Sequence, residues 1–542
     1  MVHLNEEIGI VVGGSLTEGV EVRLNPNTDT ENLRVGAFVR VQGNTSRFFG
    51  IITDIYLGMV DKFVAVNPPG SNNKFISDSM SGIATYGNIQ IEPRLVLTES
   101  GFEPSRTIPA HFSSVFLASQ EDVDIIFGKE DASHFHIGSP LDMETKLCLD
   151  IEKIVERSNG VFGKSGTGKT FLTRLLLIGI LQSKKAVNLV FDMQSEYGWK
   201  GYSEARGGEV KGLKQLFSSE VQIFTIDKES SDRRKVQPDF LVEIGYDDIQ
   251  PEDIQMLRET LNLSEVAADA THSLAYEFGI RNWLKEFLAL RGKDSIINLA
   301  DKMSVNASAL ASLHNRLLRL VRLPFVKENG GNNSVKEIIM RLHKGINVVL
   351  EFGRYGNDFS AYILVANLLT RRIYAQYAKT KEEAMGDRQK EPIPLVITIE
   401  EAHKFLSPSL AGHTIFGTIA REMRKYNVTL MVIDQRPSAI DSEVMSQLGT
   451  RLTCLLDNER DIDAALSGVS GSRHLRGVLS RLESKQQALI FGHALPMPVV
   501  VHTRAYDETF YSQMLHGSPT SVGDTISETQ TERIEREINE LF

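Results

Sequence analysis

Cysteine is almost absent: Cys148 and Cys454 are the only two in 542 residues. Two cannot build a disulfide framework, so a reducing, cytoplasmic compartment is expected, and without a CxxC or Cys/His cluster no zinc site is expected. Long apolar runs are missing too. The longest, around Leu175–Leu181, is far too short to span a bilayer, and the start MVHLNEEIGI lacks the pattern of a signal peptide. Positive charge is scarce. The 59 Lys and Arg against 70 Asp and Glu leave a net charge of −11, which excludes a globally basic nucleic-acid coat. A DNA partner would have to be met by a local cationic surface. Internal repeats and low-complexity tracts do not occur.

What is present has ordinary globular proportions, 42% apolar and 24% charged, over a length that suggests three or four domains. The first 100 residues read as short strands (IGIVV, GVEVRL, GAFVRVQG, RFFGIITDIYLG, KFVAV, IATYGNIQI) between turn-rich pieces, which argues for a small barrel or sandwich, and residues 1–135 are taken as an N-terminal β-barrel domain. In 136–243 and 343–510 apolar strands (NGVF, AVNLVF, VQIFTI, INVVLEF, PLVITI, VTLMVI, RLTCLL) alternate with helices, the pattern of an α/β parallel sheet covered on both faces. Between them, 244–342 reads as a purely helical insertion. One stripe runs through Leu274, Phe278, Trp283, Phe287 and Leu290, and another through Leu310, Leu313, Leu317 and Leu320. Ser334 with Glu337 reads as a capping box. The charged stretch 379–392 predicts an exposed loop. Residues 511–542 read as a linker and a terminal helix whose stripe Ile534, Ile538, Leu541 and Phe542 must bury on its own domain or on a neighbouring subunit.

Gly163-Lys164-Ser165-Gly166-Thr167-Gly168-Lys169-Thr170 matches GxxxxGK[ST] after an apolar stretch and before a helix, Phe171–Gln182. Glycines let the backbone curl so that successive N–H groups face phosphate oxygens, beside the positive end of a helix dipole. Gly163, Ser165, Gly166, Thr167, Gly168, Lys169, Thr170 and Phe171 are therefore the expected ATP-binding stretch. Lys169 reaches the β- and γ-phosphates and the Thr170 hydroxyl ligates Mg²⁺. The apolar strand Pro394–Ile399 ends in Glu400-Glu401-Ala402-His403. Neighbouring side chains at a strand end point different ways, so Glu400 is assigned to the metal shell and Glu401 to the catalytic base. The next strand ends in Asp434-Gln435-Arg436-Pro437, and Gln435 is the candidate to sense the γ-phosphate. Asp192 and Glu196, at a third strand tip, are read either as supporting groups of the site or as helix caps. Arg157, Arg421 and Arg424 are candidates to meet charge on the transferred phosphoryl group, with a solvated surface position as the competing reading for each.

These residues resemble the HerA branch of the FtsK–HerA superfamily of P-loop ATPases. The resemblance rests on ERSNGVFGKSGTGKT, DMQSEYG, ITIEEAH, AREMRKYNVTLMVIDQRPS and QQALIFGHALPMP, with an N-terminal all-β region like the family's barrel. DMQSEYG departs from the family's His-Gly before Glu-Tyr, and Met423 stands where relatives often have Gly. The resemblance implies a RecA-like core and a homo-oligomeric ring, a hexamer, with ATP between subunits and double-stranded DNA through the centre. It also implies Arg157 and Arg424 acting in trans, and a barrel that docks a nuclease of the NurA kind or a sirtuin-like or nuclease effector of anti-phage defence. The expected activity is an ATP-driven DNA translocase or helicase. The alternative is an ATP-dependent ring scaffold that assembles such an effector without translocation. A conjugative or secretion ATPase usually brings membrane segments, which are not found. Pore candidates are Lys200, Arg206 and Lys211 and the cluster Arg473, Arg476 and Arg481.

Overall fold

A computed structural model of the chain describes residues 6–60, 84–98, 101–141, 143–203, 208–329, 333–386, 391–412, 414–422, 425–469, 472–483 and 485–516. Arg206, Arg424, Met423, the segment KFVAV and the expected terminal helix lie outside the described residues, as does the side chain of Arg473. The chain forms two compact units, one of residues 1–150, 450–455 and 469–504, the other of 151–449, 456–468 and the chain from 505 onward.

In the first unit the strands β1 (Glu7–Ser15), β2 (Gly19–Leu24), β3 (Phe38–Gln42), β4 (Arg47–Met59), β5 (Thr85–Thr98), β6 (Gly101–Pro104) and β7 (Ser114–Leu117) run in the order β2-β1-β7-β3-β4-β5-β6. A further antiparallel pairing of β2 with β5, Val20 opposite Ile91, closes six of them into a barrel. The sequence alternation explains the interior: Val20, Val22, Val39, Val41, Ile89, Ile91 and Val115 are buried together. The same unit holds an antiparallel layer in which Thr450–Thr453, Gln487–Gly492, Val499–Thr503, His134–Pro140 and Leu147–Asp150 follow in that order. The segment RLTCLL, expected among the parallel strands, therefore pairs antiparallel with Gln487–Gly492.

The second unit is the α/β core. Its parallel strands lie in the order Phe240–Leu241, Val221–Thr225, Asn347–Glu351, Val187–Asp192, Leu395–Glu400, Val428–Asp434, Asn159–Phe162. Four of the seven are buried at every position, as both-sided helical cover requires. The helix Lys169–Ser183 is likewise buried all through Leu172–Leu181. This is a RecA-like P-loop fold with a helical insertion.

The insertion departs from expectation in three places. Its single stripe over 274–290 is two helices, Glu265–Phe278 and Trp283–Ala289, broken at Gly279 with φ of +83°. It is not purely helical, since Ile244–Gly245 pairs in parallel with Val326–Lys327. Ser334 does not cap: its hydroxyl exchanges hydrogen bonds with the backbone of Glu243, 2.9 and 3.0 Å, and Glu337 turns to Arg341 instead. Outside the insertion, the expected loop at 379–392 begins as helix, because Phe359–Ala384 runs on through Lys381, Glu382 and Glu383, all good helix formers. No described helix is long and apolar enough to cross a membrane.

Trp283 is the largest fully buried side chain, and its indole N–H donates to the Ile249 carbonyl at 3.0 Å. Trp283→Ala is expected to destabilise this unit by about 3–5 kcal/mol, read as a lowered denaturant midpoint, while leaving the unfolding of the isolated barrel signal unmoved.

Candidate active site

The chain leaves the buried strand Asn159–Phe162 through Gly163, Gly166 and Gly168, with φ of +152°, +78° and +100°. Such values suit glycine and would strain any other residue. The helix Lys169–Ser183 starts with no side-chain cap at Gly168, the arrangement in which a helix N-terminus receives an anion. The Lys164 carbonyl sits at the hub of the loop, accepting from the Thr167 hydroxyl at 2.7 Å and from Lys169 Nζ at 2.9 Å. One turn on, the Thr170 hydroxyl donates to Glu196 Oε2 at 3.0 Å.

Three adjacent parallel strands end in acids. Val187–Asp192 lies between Asn347–Glu351 and Leu395–Glu400. Asp192 is fully buried and accepts the amides of Glu196 and Tyr197 at 2.8 Å each and of Gly198 at 3.3 Å. It caps no helix. It pins the loop that carries Glu196 to Thr170, which sets aside the helix-cap reading of Asp192. Burial, and then the charge of Glu351, raise the Asp192 pKa to about 7. Glu351, also buried, is ion-paired with Arg234.

Glu400 and Glu401 face different surroundings. Glu400 accepts the Met193 amide at 3.2 Å and the Tyr197 hydroxyl at 3.1 Å. Burial first, then the charges of Asp192 and Glu196, lift its pKa from the ordinary 4.5 to about 8. Glu401 has φ of +48°, a left-handed conformation that costs a non-glycine residue roughly 1–2 kcal/mol. That turn aims its carboxylate at the neighbouring strand tip, where Gln435 Nε2 donates to Oε1 at 3.0 Å.

Asp434, buried at that tip, accepts the backbone N–H groups of His403 and Arg436 at 2.7 Å each, with His403 Nδ1 at 2.9 Å. The hydrogen bond that the His403 ring donates to the Asp434 carboxylate raises the His403 pKa. Glu401 Oε2 lies 3.7 Å from the same Nδ1. Glu401, His403 and Asp434 could together offer a metal three ligand atoms, but His403 Nδ1 and Asp434 Oδ2 are already hydrogen-bonded to each other. Thr170 and Glu196 meet beside the loop, and Glu400 ends the neighbouring acidic strand; oxygen donors of this kind suit a hard cation such as Mg²⁺.

The arginines separate. Arg421 donates to Glu443 at 3.0 Å and to the Ala411 carbonyl at 3.4 Å, so its guanidinium is committed within its own chain. Arg157, in the turn before the P-loop strand, lies against Gly449, where an added Cβ would meet its own Cβ at 2.6 Å. Its Nε is buried without a hydrogen-bond partner. Two pore candidates are also occupied: Lys200 pairs with Glu209 at 2.7 Å, and Lys211 lies 4.0 Å from Glu508 and 5.2 Å from the Tyr511 ring centre. The roles of His403, Asp434 and Tyr197 were missed by the reading of the sequence. The signal was present for two of them, since EEAH and DQRPS contain both partners of the His403–Asp434 contact.

Parts of the chain are similar to known proteins. The family of the helicase HerA central domain matches residues 135–373, and the HAS barrel domain matches 8–72. A DNA double-strand break repair helicase HerA of Pyrococcus furiosus is 21% identical, with 93% of each chain covered. One of Saccharolobus solfataricus is 21% identical with 97% of each covered. The VirB4 structure of Thermoanaerobacter pseudethanolicus superposes with a TM-score of 0.45 at 16% identity, covering 70% of this chain and 98% of that one.

The raised pKa of Glu400 has a thermodynamic signature. From pH 4.5 to about 8 the folded state holds a proton that the unfolded state has lost, so this contribution to stability falls as pH rises. Glu400→Gln lacks it. In nucleotide- and metal-free protein, the melting temperature of Glu400→Gln minus that of the parent is expected to increase from pH 5 to pH 8.

Proposed function

We propose that this chain, which matches the helicase HerA central domain over residues 135–373 and the HAS barrel over 8–72, is a HerA-type P-loop ATPase that hydrolyses ATP at this site to move double-stranded DNA. The observation that carries the reading is the split between two adjacent carboxylates. Glu400 is drawn into the Met193–Tyr197 network, and Glu401 is turned by its left-handed backbone toward Gln435. A metal-shell group and a base need that separation.

In this mechanism residues 163–171 cradle the triphosphate. Lys169 gives up the Lys164 carbonyl for the β- and γ-phosphates. Thr170, released from Glu196, and Glu400 would hold Mg²⁺, which when bound offsets phosphate charge. Glu401 orients the attacking water and takes its proton. Gln435, whose amide rests on Glu401 here, passes to the γ-phosphate and frees the base. Arg157, with no intrachain partner at Nε, serves the site of the next subunit in a ring of six, with Arg424 as the second trans-acting group. Similarity to DNA double-strand break repair helicases supports duplex DNA as the substrate. The barrel is the docking module for a nuclease partner, of the NurA kind in end processing or a sirtuin-like or nuclease effector in anti-phage defence.

Duplex DNA is expected to stimulate ATP turnover, and Lys169→Ala to abolish it. Glu401→Gln should keep nucleotide binding and lower kcat by about 10²–10⁴. Turnover indifferent to any nucleic acid would overturn the motor. Retained partner function in Glu401→Gln would instead favour a scaffold. Mixing Lys169→Ala with Arg157→Ala subunits should restore part of the turnover at hybrid interfaces, and no recovery in intact rings would remove Arg157 from the site.

A further inference from the structure

The helical insertion carries a cationic surface that the ATP site does not use. Between Asp301 and Glu328 the chain has no Asp or Glu, although acids outnumber bases 70 to 59 overall. The helix Ala307–Leu320 lies in this stretch and buries Leu310, Leu313, Leu317 and Leu320. That apolar face fixes what the rest of the helix presents. Arg316, Arg319 and Arg322 follow one another at three-residue steps, the first half-buried and the other two exposed.

None of these three side chains makes an ion pair or a hydrogen bond among the described residues. Some cations nearby do find acids: Arg341 holds Glu337 at 3.2 Å, Arg371 holds Asp253 at 2.6 Å, and Lys302 holds Glu277. Arg316 and Arg319 also line a cavity of about 220 Å³ with Thr260, Leu320, Asp358 and Ser360. Asp358 is the one acid in that lining, and its carboxylate is engaged in capping the helix Phe359–Ala384 through the Ala361 amide at 3.1 Å.

We propose that Arg316, Arg319 and Arg322 contact the phosphate backbone of double-stranded DNA. Arg316 and Arg319 lie on the helix, about 4.5 Å apart along its axis at about 1.5 Å of rise per residue, and Arg322 follows in the turn just past its end; phosphates of one strand lie about 3.4 Å apart along the duplex axis. Unpaired planar guanidinium groups suit phosphate oxygens, and such contacts carry no sequence information. The inference rests on the reading that the chain acts on DNA, and it names the surface that holds the strand.

The test measures binding of the full-length protein to a labelled duplex over a range of salt. In the triple Arg→Ala variant the slope of log K against log salt should become shallower by about three units, with affinity down roughly tenfold or more at fixed salt. The triple Arg→Lys variant should keep the slope, and ATP turnover without DNA should be unchanged in both. A parent that binds duplex steeply and an alanine variant with the same slope and affinity would overturn this inference and leave the motor standing. A parent that binds no duplex would overturn both. Loss of binding in the lysine variant equal to that in the alanine variant would make the arginines structural and also overturn it.

Discussion

At the carboxyl edge of the parallel sheet a buried carboxylate has been given three backbone amides in place of water. Asp192 accepts the amides of Glu196, Tyr197 and Gly198, which holds the short loop between. From that anchor Glu196 meets the hydroxyl of Thr170 and Tyr197 meets Glu400. The P-loop and the acidic strand are thus tied through one side chain that touches neither. The loop passes through Ser195 at φ of +57°, a conformation glycine adopts without strain, and this is where the chain departs from the family's His-Gly. The departure leaves the loop's anchoring intact, since all three amides still reach Asp192.

How far the sequence could be read depended on the distance over which each feature is determined. The nucleotide loop is local: Gly163, Gly166 and Gly168 set its path within six residues, and the motif states them in order. Glu400 and Glu401 were legible because an apolar strand must stop somewhere, and charge marks the place. The contact of His403 with Asp434 joins residues 31 apart in the chain, so only packing of neighbouring strands reveals it. Ser334 illustrates the same limit. Its spacing to Glu337 fits a cap, but Glu243, 91 residues earlier, takes the hydroxyl instead. Periodicity also misled across Gly279, where the apolar stripe continues in register while the backbone turns away.

Charge in this protein is arranged rather than abundant. Acids cluster where the sheet ends, and each buried one is answered by a specific donor: Glu351 by Arg234, Asp253 by Arg371 and Asn367, Asp434 by His403. Leaving such a group unanswered in the interior would be costly. Arg157 lies beside the nucleotide loop, and Arg316, Arg319 and Arg322 lie on the insertion, two places with separate demands for positive charge.

Among the described residues the barrel offers little edge for another strand: six strands close on themselves, and the free edge is β6, four residues long and ending at Pro104, which has no N–H to give. A partner of these residues would read side chains and loops more than extend their hydrogen-bond ladder. Recognition of that kind can diverge quickly between related chains, because loops change without disturbing the ring of strands beneath them.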